Sequence, residues 1–213
     1  MTDLNPQTHF DQIANKYDDF KSSKNIYYQV LKKAVINKIR NQKKIKILDI
    51  GCGTGNILAE INPAYGLGID ISWQMIKLAK LKYAQRNNLH FKVHNIEKKS
   101  IPGNFDYLLF IDVMEHLFHH QAAFKNIGRT MHSQTTLLVS MANPLWEPAL
   151  LLLEKFHLKM PEGPHQRISE NKLINLCSRN HLRLLSKQVY FPDLKLPVIK
   201  NLGLIYLYSF IKA

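Results

Sequence analysis

Cysteine is almost missing from this 213-residue sequence, where Cys52 and Cys177 are the only two. Two thiols do not make a disulfide framework, so the expected setting is a reducing cytoplasm. Long apolar runs are missing too. None approaches the ~18 residues of a membrane span, and no charged segment followed by an apolar one opens the chain as a secretory signal would. Acidic residues are few, 16 against 29 basic ones, which gives a formal charge of +13 and a pI near 9.7. That balance invites a polyanion, either nucleic acid or an anionic membrane surface met peripherally. Arginine, the better residue for gripping phosphate with two parallel hydrogen bonds, is nevertheless scarce, at 6 against 23 lysines. The basic residues are spread along the chain, which reads as a solvated lysine-rich surface. One local patch stands out at 32–46, with Lys32, Lys33, Lys38, Arg40, Lys43, Lys44 and Lys46. Internal repeats and low-complexity linkers are absent. A hydrophobic share of 46% suits one domain, 1–213, with a full core.

What the chain does contain is organised around residues 45–55, I-K-I-L-D-I-G-C-G-T-G. An apolar run ending in Gly51, Gly53 and Gly55 reads as a buried strand entering a tight loop, with a helix starting near Asn56. Without Cβ atoms the backbone can turn sharply and lie against a ligand. A dinucleotide fingerprint G-x-G-x-x-G would need glycine where Asn56 stands, and a phosphate-cradling P-loop needs a Gly-Lys-Ser/Thr ending that is not there. Asp49, two residues before Gly51, would repel a pyrophosphate but suits a ligand carrying an ammonium and a sulfonium. The charge sign favours S-adenosylmethionine. Nineteen residues beyond Gly51, Asp70 ends the apolar stretch 65–71 (Y-G-L-G-I-D-I), the spacing at which a second strand presents a carboxylate to ribose hydroxyls.

These residues resemble the class I S-adenosylmethionine-dependent methyltransferases, whose first motif is an acidic residue followed by G-x-G-x-G. The resemblance covers about 45–141. It implies a cofactor site made of Asp49, Gly51, Cys52, Gly53 and Gly55, with Asp70 and Ile71 at the second strand. An F-D-x-x-A-x-x-Y-D segment over the cleft is matched by Phe10, Asp11, Ala14, Tyr17 and Asp18, which makes Tyr17 a cofactor lid. The residues that bracket adenine in the family correspond to Asn95 and Ile96. Asn95 stands where aspartate is commoner, and its amide oxygen can still accept from an amino group.

Along the chain, 8–20 and 25–41 show helical spacing, and together they form a helical cover over 1–44. Helical or strand spacing continues at 73–85, 89–94, 105–111, 121–131 and 135–141, with 105–111 (F-D-Y-L-L-F-I) central in the sheet. Residues 112–117, D-V-M-E-H-L, then lie at the strand end where open parallel sheets bind ligands. That position makes Asp112 a cofactor contact. His116 and His165 are candidate bases or substrate-orienting groups, histidine being well poised to accept a proton near neutral pH. The spacing Asp112-x-x-Glu115-His116 also looks like an E-x-x-E-H metal motif of certain O-methyltransferases. A polar acceptor-site role ranks above metal binding, and the neighbouring His119 and His120 read as surface residues. Asn143-Pro144-Leu145-Trp146 follows the fifth strand rather than the fourth and lacks a second proline, so it is not the N-P-P-Y/W signature of adenine amino methylation. An apolar insertion, with a helix over 145–160 in a lid segment of about 143–168, is expected to cover a substrate pocket. A helix at 169–179 and strands at 181–190 and 204–211 complete the pattern.

The alternation implies an α/β fold, a doubly wound, mostly parallel sheet with helices on both faces. The resemblance adds the Rossmann-like form of seven strands with the last antiparallel. The expected activity is methyl transfer from S-adenosylmethionine to a small, lipophilic or quinone-like molecule. The alternatives are a tRNA or rRNA methyltransferase and a non-catalytic cofactor-binding partner module.

Overall fold

The strand β1 (Lys46–Ile50) is buried from its second residue onward, which requires cover on both faces of the sheet it joins. The computed structural model describes residues 5–22, 25–39, 44–146, 168–191 and 203–213. In chain order these hold α1 (Pro6–Phe20), α2 (Ile26–Ile39), β1, α3 (Asn56–Ile61), β2 (Tyr65–Asp70), α4 (Trp73–Lys82), β3 (Leu89–Val93) and β4 (Tyr107–Phe110). A turn of 3-10 helix (Met114–His116), α5 (His120–Thr130), β5 (Thr136–Ala142), a second 3-10 turn (Pro144–Trp146), α6 (Glu170–Arg179), β6 (Leu182–Tyr190) and β7 (Ile205–Lys212) follow.

The strands form one seven-stranded sheet in the order β3-β2-β1-β4-β5-β7-β6. The first five pair in parallel, and β7 runs antiparallel between β5 and β6. The expected doubly wound sheet is therefore present, with β4 at its centre.

Strand alternation divides the core in two. Leu48, Ile50, Leu108, Phe110, Leu137 and Val139 pack on one face with Phe124 and Ile127 of α5 and Leu173 of α6. Ile47, Leu109 and Leu138 point the other way, against Leu31, Val35 and Ile39 of α2 and Ile76 and Ala79 of α4.

Three of the described helices start at a side-chain cap. Asn5 accepts from the Gln7 amide ahead of Pro6 at the first helical position, Ser72 accepts from the Met75 amide at 3.1 Å, and Ser169 caps α6. The helix expected over 73–85 stops at Lys82: the Tyr83 amide still makes the last helical bond, to the Ala79 carbonyl at 3.0 Å, but Tyr83 itself leaves helical geometry at φ −115 and ψ 27. Only Leu145 and Trp146 of the expected 145–160 helix are described, within a 3-10 turn. The rest of that segment, His165 and part of the 32–46 patch lie outside the described residues.

The order of strands reverses between β1 and β4, the neighbour on one side being reached through α3 and on the other from β3. Crevices outside the carboxyl ends of strands at such a reversal are where open α/β sheets bind ligands. The ends of β1, β2 and β4 meet there, and α1 lies across them.

Candidate active site

The loop after β1 is held by backbone bonds, two of them to β2. The amides of Gly51 and Cys52 both donate to the Ile69 carbonyl, at 2.7 and 3.0 Å, and the Gly55 amide donates to the Cys52 carbonyl at 2.9 Å. All three glycines have positive φ, yet they serve different ends. A Cβ on Gly51 would lie 2.2 Å from Val113, and one on Gly55 would lie 2.6 Å from Phe91, so those faces are filled by the protein's own packing. Gly53 differs. The three atoms nearest to the position of a Cβ there all belong to the Tyr17 side chain, the first at 3.0 Å, so α1 closes on the loop at this glycine.

Asp70, at the end of β2, accepts from the Gly53 amide at 2.9 Å and from the Ser72 amide at 2.8 Å. These bonds fix the carboxylate and tie β2 to the loop while leaving lone pairs to accept hydroxyl protons. Burial raises Asp70 to about 6, against the lowering effect of the Ser72 and Gly53 amides. Asp49 is 3% exposed, and burial, followed by the Asp70 charge, raises it to about 7. Two carboxylates that resist ionisation side by side are a site into which a cation fits. Burial, and then the charges of Asp70, Asp112, Cys52 and Asp49, push the Tyr17 phenol upward, so it remains a protonated donor among them.

Helix α1 is latched over the loop at two points. Asp11 accepts from the Ser72 hydroxyl at 2.5 Å and from the Gln74 amide at 3.1 Å, which binds the start of α4. Two turns later, Asp18 accepts from the Thr54 hydroxyl at 2.6 Å, the Asn56 amide group at 2.8 Å and the Lys82 ammonium at 2.7 Å. Spacing of seven places both acids on one helix face. The F-D-x-x-A-x-x-Y-D pattern thus contained the latches, although sequence reasoning assigned a role only to Tyr17.

At the end of β4, Asp112 takes φ +53. Its carboxylate accepts from the Tyr27 hydroxyl at 2.9 Å and the Ser140 hydroxyl at 3.1 Å, and lies 3.6 Å from the Lys21 ammonium. Its own amide donates to Ser140 at 2.9 Å. Asp112 therefore joins Lys21 and Tyr27 to β4 and β5. Lys21, Tyr27 and Ser140 carry no sequence signal that would have found them.

At the turn after β3, where the adenine is expected, the Asn95 side-chain oxygen accepts from the Glu97 amide at 2.8 Å, a tight turn that uses one of its lone pairs. Ile96 is 4% exposed and packs in the core, while Ile71 is half-buried beside Asp70. The Asn126 side chain of α5 donates to the carbonyls of Ile96 at 2.8 Å and Glu97 at 3.3 Å, holding this turn from below. The Phe10 ring meets the half-buried His116 ring edge-on at 5.0 Å, so α1 also borders the strand end after β4. The reading of His120 as a surface residue is corrected: it is 6% exposed and its Nε2 bonds the Met114 carbonyl at 3.0 Å, which anchors α5 to the 3-10 turn. Among the described residues no cluster of three or more His, Cys, Asp or Glu is placed to hold a metal ion.

The residues present fit S-adenosylmethionine: a glycine face that a Cβ would fill, a fixed carboxylate for a ribose, and buried acids suited to cationic charge. Comparison with known proteins points the same way. The sequence model of the family described as "Methyltransferase domain" matches residues 41–189. Ubiquinone biosynthesis O-methyltransferase of Bartonella quintana is 28% identical over 156 residues, a match spanning 68% of this chain and 63% of that protein. The same-named protein of Pelagibacter ubique is 28% identical over 199 residues, 82% of each. The fold is shared with magnesium protoporphyrin IX methyltransferase from Synechocystis PCC 6803, solved with bound SAH, at a TM-score of 0.74 and 15% identity over 97% of this chain and 98% of that one. The chain belongs to the class I S-adenosylmethionine-dependent methyltransferase family.

Proposed function

We propose that this protein binds S-adenosylmethionine between the glycine loop and α1 and transfers its methyl group to a small, lipophilic acceptor of quinone-like or phenolic character. The observation that carries the reading is the closure of Tyr17 on Gly53 beside the fixed carboxylate of Asp70. When bound, the cofactor supplies a methyl carbon made electrophilic by its sulfonium. The protein's own task is then orientation and exclusion of water. Asp70 accepts from the ribose hydroxyls, Asn95 faces the adenine amino group, and Asp49 offsets positive charge near the loop.

The acceptor side is the end of β4 and β5. His116, with Phe10 against its ring, stands there as the group that orients an acceptor hydroxyl or takes its proton, and His165 is the second candidate for that role. Phe118, Leu145 and Trp146 are exposed on the segments that leave these two strands, an apolar rim suited to a lipophilic molecule. The segment 143–168 is the proposed cover of that rim. Relatives named ubiquinone biosynthesis O-methyltransferases support the class of acceptor without identifying it.

The test is methyl transfer from labelled S-adenosylmethionine to catechols and hydroquinones with alkyl tails, set beside bulk tRNA. The reading expects label in the phenolic acceptors, with His116→Ala slower and its cofactor affinity nearly intact. Label in the RNA alone, falling steeply with salt, would replace it.

A further inference from the structure

Lys21 ends α1 as its C-cap, where a cation is favoured by the helix carbonyls, but its ammonium does not point into water. The side chain is only 12% exposed. Its Nζ lies 4.9 Å from the centre of the Tyr28 ring, 5.6 Å from that of Tyr17 and 3.6 Å from the nearer oxygen of Asp112. Lysines on a surface normally bury the stem and hydrate the head. Here two π faces and a carboxylate replace much of that hydration, the arrangement by which proteins hold organic cations.

The surroundings of Lys21 are held in place by other groups. Tyr27 and Ser140 both donate to the Asp112 carboxylate, and the Asp112 backbone is kept in the left-handed region. Tyr28 is 5% exposed within α2, and Tyr17 is braced by Gly53. The box thus borders the glycine loop through Tyr17. The charges of Asp70 and Asp49 also act on that phenol.

We propose that Tyr17, Tyr28 and Asp112 form a cation subsite, that the Lys21 ammonium is its built-in occupant, and that the cationic methionine end of S-adenosylmethionine displaces it on binding. This rests on the cofactor reading given above. Transfer breaks the bond from sulfur to the methyl carbon and forms one from that carbon to the acceptor oxygen, whose proton passes to a base or to solvent, while the electron pair of the broken bond stays on sulfur as a neutral thioether. The product therefore carries one positive charge fewer than the donor, and Lys21 regains the box against it. The subsite discriminates donor from product by charge, and Lys21 assists product departure.

The experiment uses the full chain and calorimetric titration with S-adenosylmethionine and with S-adenosylhomocysteine. Lys21→Met removes the charge and keeps the stem, and Lys21→Arg keeps the charge. The expected result is a donor-to-product affinity ratio about tenfold higher in Lys21→Met than in the wild type, with Lys21→Arg close to the wild type. An unchanged ratio, or parallel weakening of both ligands, would overturn the proposal, the latter assigning Lys21 to the ligand carboxylate or to helix docking. A second measurement needs no variant: acylation of Lys21 by acetic anhydride, read by mass spectrometry, should speed up when S-adenosylmethionine is added, and an unchanged or slower rate contradicts displacement. A wild type that binds neither ligand would instead bring down the cofactor reading.

Discussion

The Tyr17 ring stands so close to Gly53 that a Cβ on that glycine would meet Cε1 at 3.0 Å, although 36 positions separate the two residues. Gly53 also has φ +53, so alanine there would carry both a left-handed backbone cost of roughly 1–2 kcal/mol and a collision with the ring. Gly53→Ala should lower stability in urea by more than the backbone cost alone. Combining it with Tyr17→Ala should remove the collision and leave a favourable coupling between the two substitutions. Strict additivity would mean that the ring does not press on the loop.

The two latches of α1 give the lid a measurable strength. Asp18→Ala removes three hydrogen bonds and Asp11→Ala removes two, so amide exchange over 6–20 should accelerate in either variant while exchange in β1 and β4 stays slow. Burial acts to raise the pKa of Asp18, but hydrogen bonds from Lys82, Thr54 and Asn56 outweigh it and hold the carboxyl below its ordinary value. Its contribution is therefore present above the unfolded pKa and lost as pH falls through the folded one. Acid should loosen α1 in the wild type as the Asp18 substitution does at neutral pH, and equally slow exchange over 6–20 of the wild type at neutral and acid pH would remove Asp18 from the latch.

Asp49 and Asp70 carry the opposite sign. Their folded values, about 7 and about 6, lie above the ordinary carboxyl value of 3.8, so between those limits the native state holds protons that the unfolded chain has released. Their part of the stability falls as pH rises from about 4 to about 7. Urea midpoints measured across that range should show a downward component that flattens in Asp49→Asn. Binding of a cation favours the ionised acids, so affinity for S-adenosylmethionine should rise over the same interval. An identical slope in the variant would show that Asp49 does not titrate with folding.

Asn126 is 7% exposed, and its side chain supports the carbonyls of Ile96 and Glu97 across 30 residues. Asn126→Leu should cost about 1–3 kcal/mol by stranding those acceptors. Its particular mark is a weaker preference for adenosyl over inosyl ligands, because the Asn95 turn would lose its floor. A variant with normal stability and normal base preference would contradict this role.

Much of the architecture was legible because strand alternation, the three alternate glycines and the spacing from Gly51 to Asp70 are local signals. The glycines were read as letting the backbone turn sharply and lie against a ligand, but the sequence did not show that Val113 and Phe91 pack against two of them. Those partners come from β3 and from beyond β4, and no local pattern announces a contact across the sheet. The same holds for Asp112: its position after the central strand marked it, but Tyr27 lies 85 positions away and only folding brings the two together. His120 was misjudged because its bond is to a backbone carbonyl, and every residue has one of those.

The most direct test of the account is a calorimetric titration of S-adenosylmethionine into the wild type and Gly53→Val, with folding of both checked by circular dichroism. The account predicts one site on the wild type with a dissociation constant of roughly 1 μM to 1 mM, the range of working substrate affinities, no competition from NAD, and no binding to Gly53→Val. Equal binding to both proteins would contradict it.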